Sequence, residues 1–256
     1  GGYLLEQDGQ PVDGGTTATV VALLQGHLLV VANVGDSDCL LGGKLEDGSI
    51  GFEQLCADHS PMSVDEYIRV AQLTVEMGDD WEPAIFAYDA DDETHEIFSV
   101  SPDGVVAVDA EMAAKLDELG IGYKTARQDR PTALFVPESD AYGQQKLGMT
   151  RSLGDFYMHH HGACAEPAVS CIDLFDIVEQ LERVTLVVAT DGLWDLWTYK
   201  DVLAYPLMTE PPVSVPSLLS PMMDLIELTR SEGCEMFGEH ADNITAIAVS
   251  FDSIRP

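Results

Sequence analysis

Apolar positions along this chain fall into two spacings, and the changes between them mark its elements. Thr17 to Leu24 is β-branched and apolar, and Leu28 to Ala32 repeats the pattern after a Gln25-Gly26-His27 turn, which predicts a hairpin. Both runs are apolar at nearly every position, so both are expected in the middle of a layered structure, covered on each face. After Gly35-Asp36-Ser37, Cys39 to Leu41 resumes as a short strand, and Asp47-Gly48 turns into a strand over Phe52 to Cys56. Asp58-His59-Ser60-Pro61 stops that strand and precedes a helix. Ser63 is the expected N-cap, with Glu66 as its capping-box partner and Tyr67, Val70 and Ala71 on the apolar face as far as Met77.

Further on, two short strands are predicted over Ala84 to Tyr88 and Glu96 to Val100, separated by an acidic loop at 89–93. Ala110 to Leu119 reads as a helix stopped by Gly120, Gly122 to Asp129 as loop, and Thr132 to Val136 as a strand. Lys146 to Leu153 allows at most a short helix. Val184 to Ala189 is a buried strand that runs straight into Thr190-Asp191-Gly192. Helices are expected over Tyr199 to Met208 and, after the Pro-Pro break at 211 and 212, over Leu218 to Cys234, with Pro221 in the first turn of the second. Asp242-Asn243 opens a last strand, Ile244 to Phe251. With no internal repeat and no long linker, the pattern predicts one α+β layered domain spanning 1–256.

Composition narrows the partners. Twelve Lys plus Arg stand against forty-five Asp plus Glu, a formal net charge of -33. Such a surface repels nucleic acid and anionic membrane, and suits divalent cations or a basic protein; a solvated acidic face is the plainer account. The apolar fraction of 46% argues against disorder. Five Cys without a CxxC pair read as reduced core residues, which points to an intracellular, cytoplasmic protein, with the nucleus also compatible, and away from zinc. The adjacent His159, His160 and His161 cannot all face one ion from a regular element. No run approaches the roughly 20 apolar residues that span a bilayer.

Four aspartates share a placement: Asp58 follows a strand, Asp191 ends one, Asp195 lies four residues beyond, and Asp242 precedes the last. Strand ends are where loops assemble a site on a rigid frame. With so few Lys and Arg, a hard divalent cation suits these oxygens better than ion pairs do. The plain alternative is an ordinary Asp-Gly turn at Asp191-Gly192 and a pre-strand cap at Asp242. Neither a Walker loop nor a GxSxG elbow is present, and His59 and His240 have no evident Ser or Cys partner. Metal-assisted hydrolysis is the enzymatic chemistry the residues suggest.

Six segments in order then resemble the metal-dependent type-2C protein serine/threonine phosphatase family, the PPM family. Asp13-Gly14-Gly15-Thr16-Thr17-Ala18 is similar to its SGSTA segment, and Ala32-Asn33-Val34-Gly35-Asp36-Ser37 to ANxGDS. Asp58-His59-Ser60-Pro61 looks like its DHxP turn, and Thr150-Arg151-Ser152-Leu153-Gly154-Asp155 like TRSLGD. Ala189-Thr190-Asp191-Gly192-Leu193-Trp194-Asp195 matches ATDGLWD, and Asp242-Asn243-Ile244-Thr245 the closing DN(I/V)T.

The resemblance implies a four-layer α-β-β-α sandwich of two antiparallel sheets flanked by helices. It implies hydrolysis of phosphoserine and phosphothreonine in proteins, by in-line attack of a water bridging two Mg2+ or Mn2+ ions. Asp191 and Asp242 would be catalytic ligands, and Asp58, Asp191 and Asp195 would hold a weaker third cation. Asp36, Arg151, Asp155, Asn243 and Gly192 would be structural or support the ligands. Residues 79–135 lie where the family carries a variable insertion or flap. The family's DGHGG motif and phosphate-contacting Arg are not among these 256 residues. The domain is therefore expected to be incomplete at its amino end, to be completed by a separate segment or chain, with a non-catalytic interaction module as the alternative.

Overall fold

In the computed structural model, which describes residues 12, 14–90, 94–120, 122–138, 143–208 and 215–251, the expected hairpin anchors one of two central sheets. A two-residue strand β1 (Gly15–Thr16) leads to β2 (Ala18–Leu24). Gln25 and Gly26, both at positive φ, then turn the chain into β3 (Leu28–Val34). Next come β4 (Asp38–Lys44), β5 (Ile50–Gln54) and α1 (Val64–Met77). A lobe follows, made of β6 (Ile85–Tyr88), β7 (His95–Glu96), β8 (Phe98–Val100), β9 (Val106–Val108), α2 (Ala110–Glu118) and β10 (Thr132–Phe135). The chain returns through β11 (Lys146–Leu147), β12 (Leu153–Gly154), α3 (Phe156–His160), β13 (Ala168–Asp173) and α4 (Leu174–Val178) to β14 (Glu182–Ala189). Then α5 (Asp191–Trp194), α6 (Tyr199–Leu207), α7 (Val215–Phe237) and β15 (Ala246–Ser250) follow.

One antiparallel sheet has the order β13-β3-β2 and the other β15-β14-β4-β5. The period of two along β4 and β14 sorts their side chains between layers. Cys39, Leu41, Val184 and Leu186 join Leu29 and Val31 in the core between the sheets. Leu40, Val187 and Ala189 face the other way, onto Val202, Leu203 and Leu225 of α6 and α7. The expected α+β architecture of central antiparallel sheets flanked by helices is thus the one observed. A separate core forms in the lobe, where Val70, Leu116 and Met158 from α1, α2 and α3 pack on Phe86, Ile97 and Leu134. No described helix is long and apolar enough to cross a membrane.

Several local expectations are corrected. Of the two hairpin strands, β3 is internal among the described residues and β2 lies at its sheet's edge, with Val20 61% exposed, so the apolar run of β2 is not covered on both faces. Lys146 to Leu153 contributes two short strands and no helix. Pro221 falls inside α7, beyond its first turn, because the helix starts at Val215. Ser63 does occupy the N-cap of α1, yet no side chain closes a capping box there; the carboxylate of Glu66 is buried against two arginines. The strands β9 and β13 and the helices α3 and α4 have no counterpart in the sequence reading. Asp13, 91–93 of the acidic loop and the proline pair at 211 and 212 lie outside the described residues.

Candidate metal centre

The strand register gathers the aspartates. Ala189, the last residue of β14, sits opposite Asp38 at the start of β4 and Ala246 at the start of β15. Leu40 is opposite Gln54 at the end of β5. The connections carrying Asp36, Asp58, Asp191 and Asp242 therefore all leave one edge of the same sheet. Asp36, Asp58, Asp191 and Asp195 line a cleft of about 430 Å³. Asp242 lies beyond it, in an adjoining cavity that shares Lys124 and Asp195 with the first.

DGLWD is a turn of helix rather than a bend. The amide of Asp195 donates to Asp191 O at 2.8 Å, which sets the two side chains one turn apart on the same side. Trp194 is fully buried and its indole N–H donates to Ala189 O at 2.8 Å, pinning the turn to the strand before it. Gly192 is required by contact with the other aspartate loop: a Cβ there would stand 2.4 Å from Asn243 O. Gly192→Ala is expected to cost about 2 kcal/mol, the scale of an overpacked contact, because the two loops must part. Chemical denaturation checks this; an unchanged midpoint would show that the loops separate freely.

The charges in the cleft are poorly compensated. Burial, and then the charge of Asp191, push the carboxyl of Asp36 up to about 7. Burial raises Asp191 as well; Lys124 opposes the shift and Asp242 adds to it. Asp195 is raised by burial against the pull of Lys124. Lys124 Nζ lies 2.9 Å from Asp195 Oδ2 and 3.9 Å from Asp191 Oδ2. Lys124 falls in a stretch, Gly122 to Asp129, with no periodicity to mark it, and the scarcity of cations in so acidic a chain is its only signal in the sequence. Asp58 is exposed and accepts a hydrogen bond from Ser60 N; Asp242, also exposed, accepts one from its neighbour Asn243 N.

The remaining motif residues knit the loops together. Asn33 Oδ1 accepts from Ala57 N, while Gly35 N donates to Nδ1 of buried His59. Thr150 reaches the same turn, its N–H and hydroxyl both donating to His59 O. Arg151 holds Glu66 with two nitrogens, at 3.1 and 2.5 Å, and donates to Glu166 O. Asp155 is in the left-handed region, φ 41, at the N-cap of α3, and its amide donates to Gly14 O. Two of the three histidines face different carbonyls: His159 Nε2 lies 3.0 Å from Ser152 O and His161 Nδ1 2.7 Å from Glu82 O.

Whether a cation suits this place turns on the donors. Among the described residues, no three His, Cys, Asp or Glu are drawn together closely enough to close a ligand shell. The donor chemistry nevertheless fits a hard divalent cation: carboxylates share one cleft, and burial, followed by the charge of Asp191, raises the carboxyl of Asp36.

Paired antiparallel sheets flanked by helices, with carboxylates gathered at one end, define a layered α+β protein. The family model described as Protein phosphatase 2C matches residues 4–82 and 134–205, and the chain belongs to that family. It is 26% identical over 190 residues to "Probable protein phosphatase 2C 72" of Arabidopsis thaliana, an alignment covering 72% of this chain and 40% of that protein. With "Probable protein phosphatase 2C 33" of the same plant it shares 26% over 242 residues, 93% of this chain and 37% of the relative. The chain thus spans well under half the length of these relatives. In structure it resembles a serine-threonine phosphatase 2C from Toxoplasma gondii, with TM-score 0.55 and 20% identity, over 92% of this chain and 58% of that one. That likeness shows the shared fold.

Proposed function

We propose that the chain serves metal-dependent hydrolysis of phosphoserine and phosphothreonine in proteins. The observation that carries this reading is the convergence of Asp36, Asp191 and Asp195 on one cleft, with Lys124 against Asp195 and Arg127 lining the same space. Membership of the Protein phosphatase 2C family supports it. Asp191 and Asp242 would hold Mg2+ or Mn2+, with Asp195 and Asp58 placed for a weaker third ion. Bound cations would supply an activated water and offset charge on the phosphoryl oxygens. Gly192 keeps the Asp191 and Asp242 loops in contact, Trp194 fixes the turn, and Arg151 with Glu66 holds the TRSLGD segment against α1.

The test uses the intact protein that contains this chain, a phosphothreonine peptide and Mn2+, with and without chelator. Phosphate release that depends on Mn2+ is expected. Its absence would overturn the reading and favour a non-catalytic module on the same scaffold. That second reading has one observation of its own, the ammonium of Lys124 seated on the carboxylate of Asp195.

A further inference from the structure

We infer that Lys124 is a tethered internal cation that competes with the divalent ion for Asp191 and Asp195, so that loading of the centre requires the 124–130 segment to release them. The inference rests on the metal-centre reading above and adds a control to it. Its basis is that the lysine is delivered by a built latch. Lys124 N and Thr125 N both donate to Asp129 O, and Gln128 N donates to Thr125 O, closing a compact turn with Gln128 at positive φ. The turn is fastened to the DGLWD segment at two further points and to α6 at a third. Ala126 N donates to Asp195 O at 3.0 Å, and Arg127 Nη1 donates to Trp194 O at 2.8 Å. The guanidinium of Arg127 also lies over the Tyr199 ring, 4.8 Å from its centre.

These contacts use the free carbonyls at the end of α5, so the latch and the carboxylates move as one piece or separate together. An ammonium and a divalent ion cannot share the same carboxylate oxygens at contact distance. Cation binding and latch closure are therefore linked, and each weakens the other by the same factor. The latch lies in 83–133, the stretch between the two segments that the family model matches, so this control belongs to the chain's own lobe.

The test is a titration of the chain with Mn2+ alone, followed by the paramagnetic resonance of free Mn2+, on wild type, Lys124→Ala, Lys124→Met and Asp191→Asn. Both Lys124 variants should bind Mn2+ about tenfold more tightly, within the usual span of linked sites. Methionine keeps the stem, so agreement between the two assigns the effect to the charge. Susceptibility of the 124–130 segment to trypsin at Lys124 and Arg127 should rise with Mn2+ in wild type. If Asp191→Asn loses Mn2+ while the Lys124 variants bind like wild type or more weakly, the competition is overturned and the metal centre stands. If Asp191→Asn binds Mn2+ as wild type does, the metal-centre assignment fails, and this inference with it.

Discussion

Asp191→Asn is expected to lower metal-dependent phosphate release by a hundredfold or more while leaving the fold at least as stable as wild type. Even partners one step removed from a metal cost about 10–100-fold when lost, so removal of a directly placed carboxylate should cost no less. The stability half follows from the electrostatics. Burial works against the charged form of Asp191, and Asp242 adds repulsion that Lys124 only partly offsets. Asparagine keeps the size and removes that charge. The turn itself is held by Trp194 on Ala189 O and by the packing of Gly192 on Asn243, neither of which the change touches. Turnover and thermal unfolding measured on the same preparation separate the two effects. A variant that loses both activity and stability would show Asp191 to be a structural residue.

Glu66→Ala is expected to be the most destabilising single change considered, at about 3 kcal/mol, the scale of breaking a buried charge pair. The Glu66 side chain is 4% exposed and takes contacts from Arg151 at 2.5 Å and Arg69 at 2.9 Å. Truncation leaves both guanidiniums, themselves mostly buried, without their carboxylate. It also removes the tie between Arg151 of TRSLGD and α1, 85 residues apart in sequence, leaving Arg69 on Thr150 O between them. Burial alone would push the Glu66 carboxyl up, but hydrogen bonds from Arg151 and then Arg69 outweigh it and hold it at about 2, below its ordinary 4.5. A depressed carboxyl stabilises the fold above its unfolded value and loses that contribution as pH falls through the folded one. The stability gap between wild type and Glu66→Ala should thus be full above pH 4.5 and shrink towards pH 2. A gap independent of pH over that window would assign the loss to packing.

The sequence showed the hairpin of β2 and β3, the buried strand β14 and the motif order, because each is written in local periodicity or contiguous residues. What stayed hidden depends on partners far away in the chain. Glu66 has the spacing of a capping box, and only Arg151 in three dimensions draws it elsewhere. Lys124 sits in a loop with no period to read, and its role appears only once the 124–130 turn is seen against α5. The exposure of Val20 depends on the order of strands in the sheet, which a continuous apolar run does not specify. Asp36, expected as a supporting residue, shares the cleft with Asp191 because β4 and β14 are paired in register from Asp38 and Ala189.

Anomalous diffraction from crystals of the chain soaked in Mn2+ locates the cation directly. The predicted result is a Mn2+ peak within coordination distance of the Asp191 carboxylate, with Lys124 Nζ withdrawn from Asp195. A soaked crystal with no peak at Asp191 and Lys124 still paired to Asp195 would contradict a metal centre at this place.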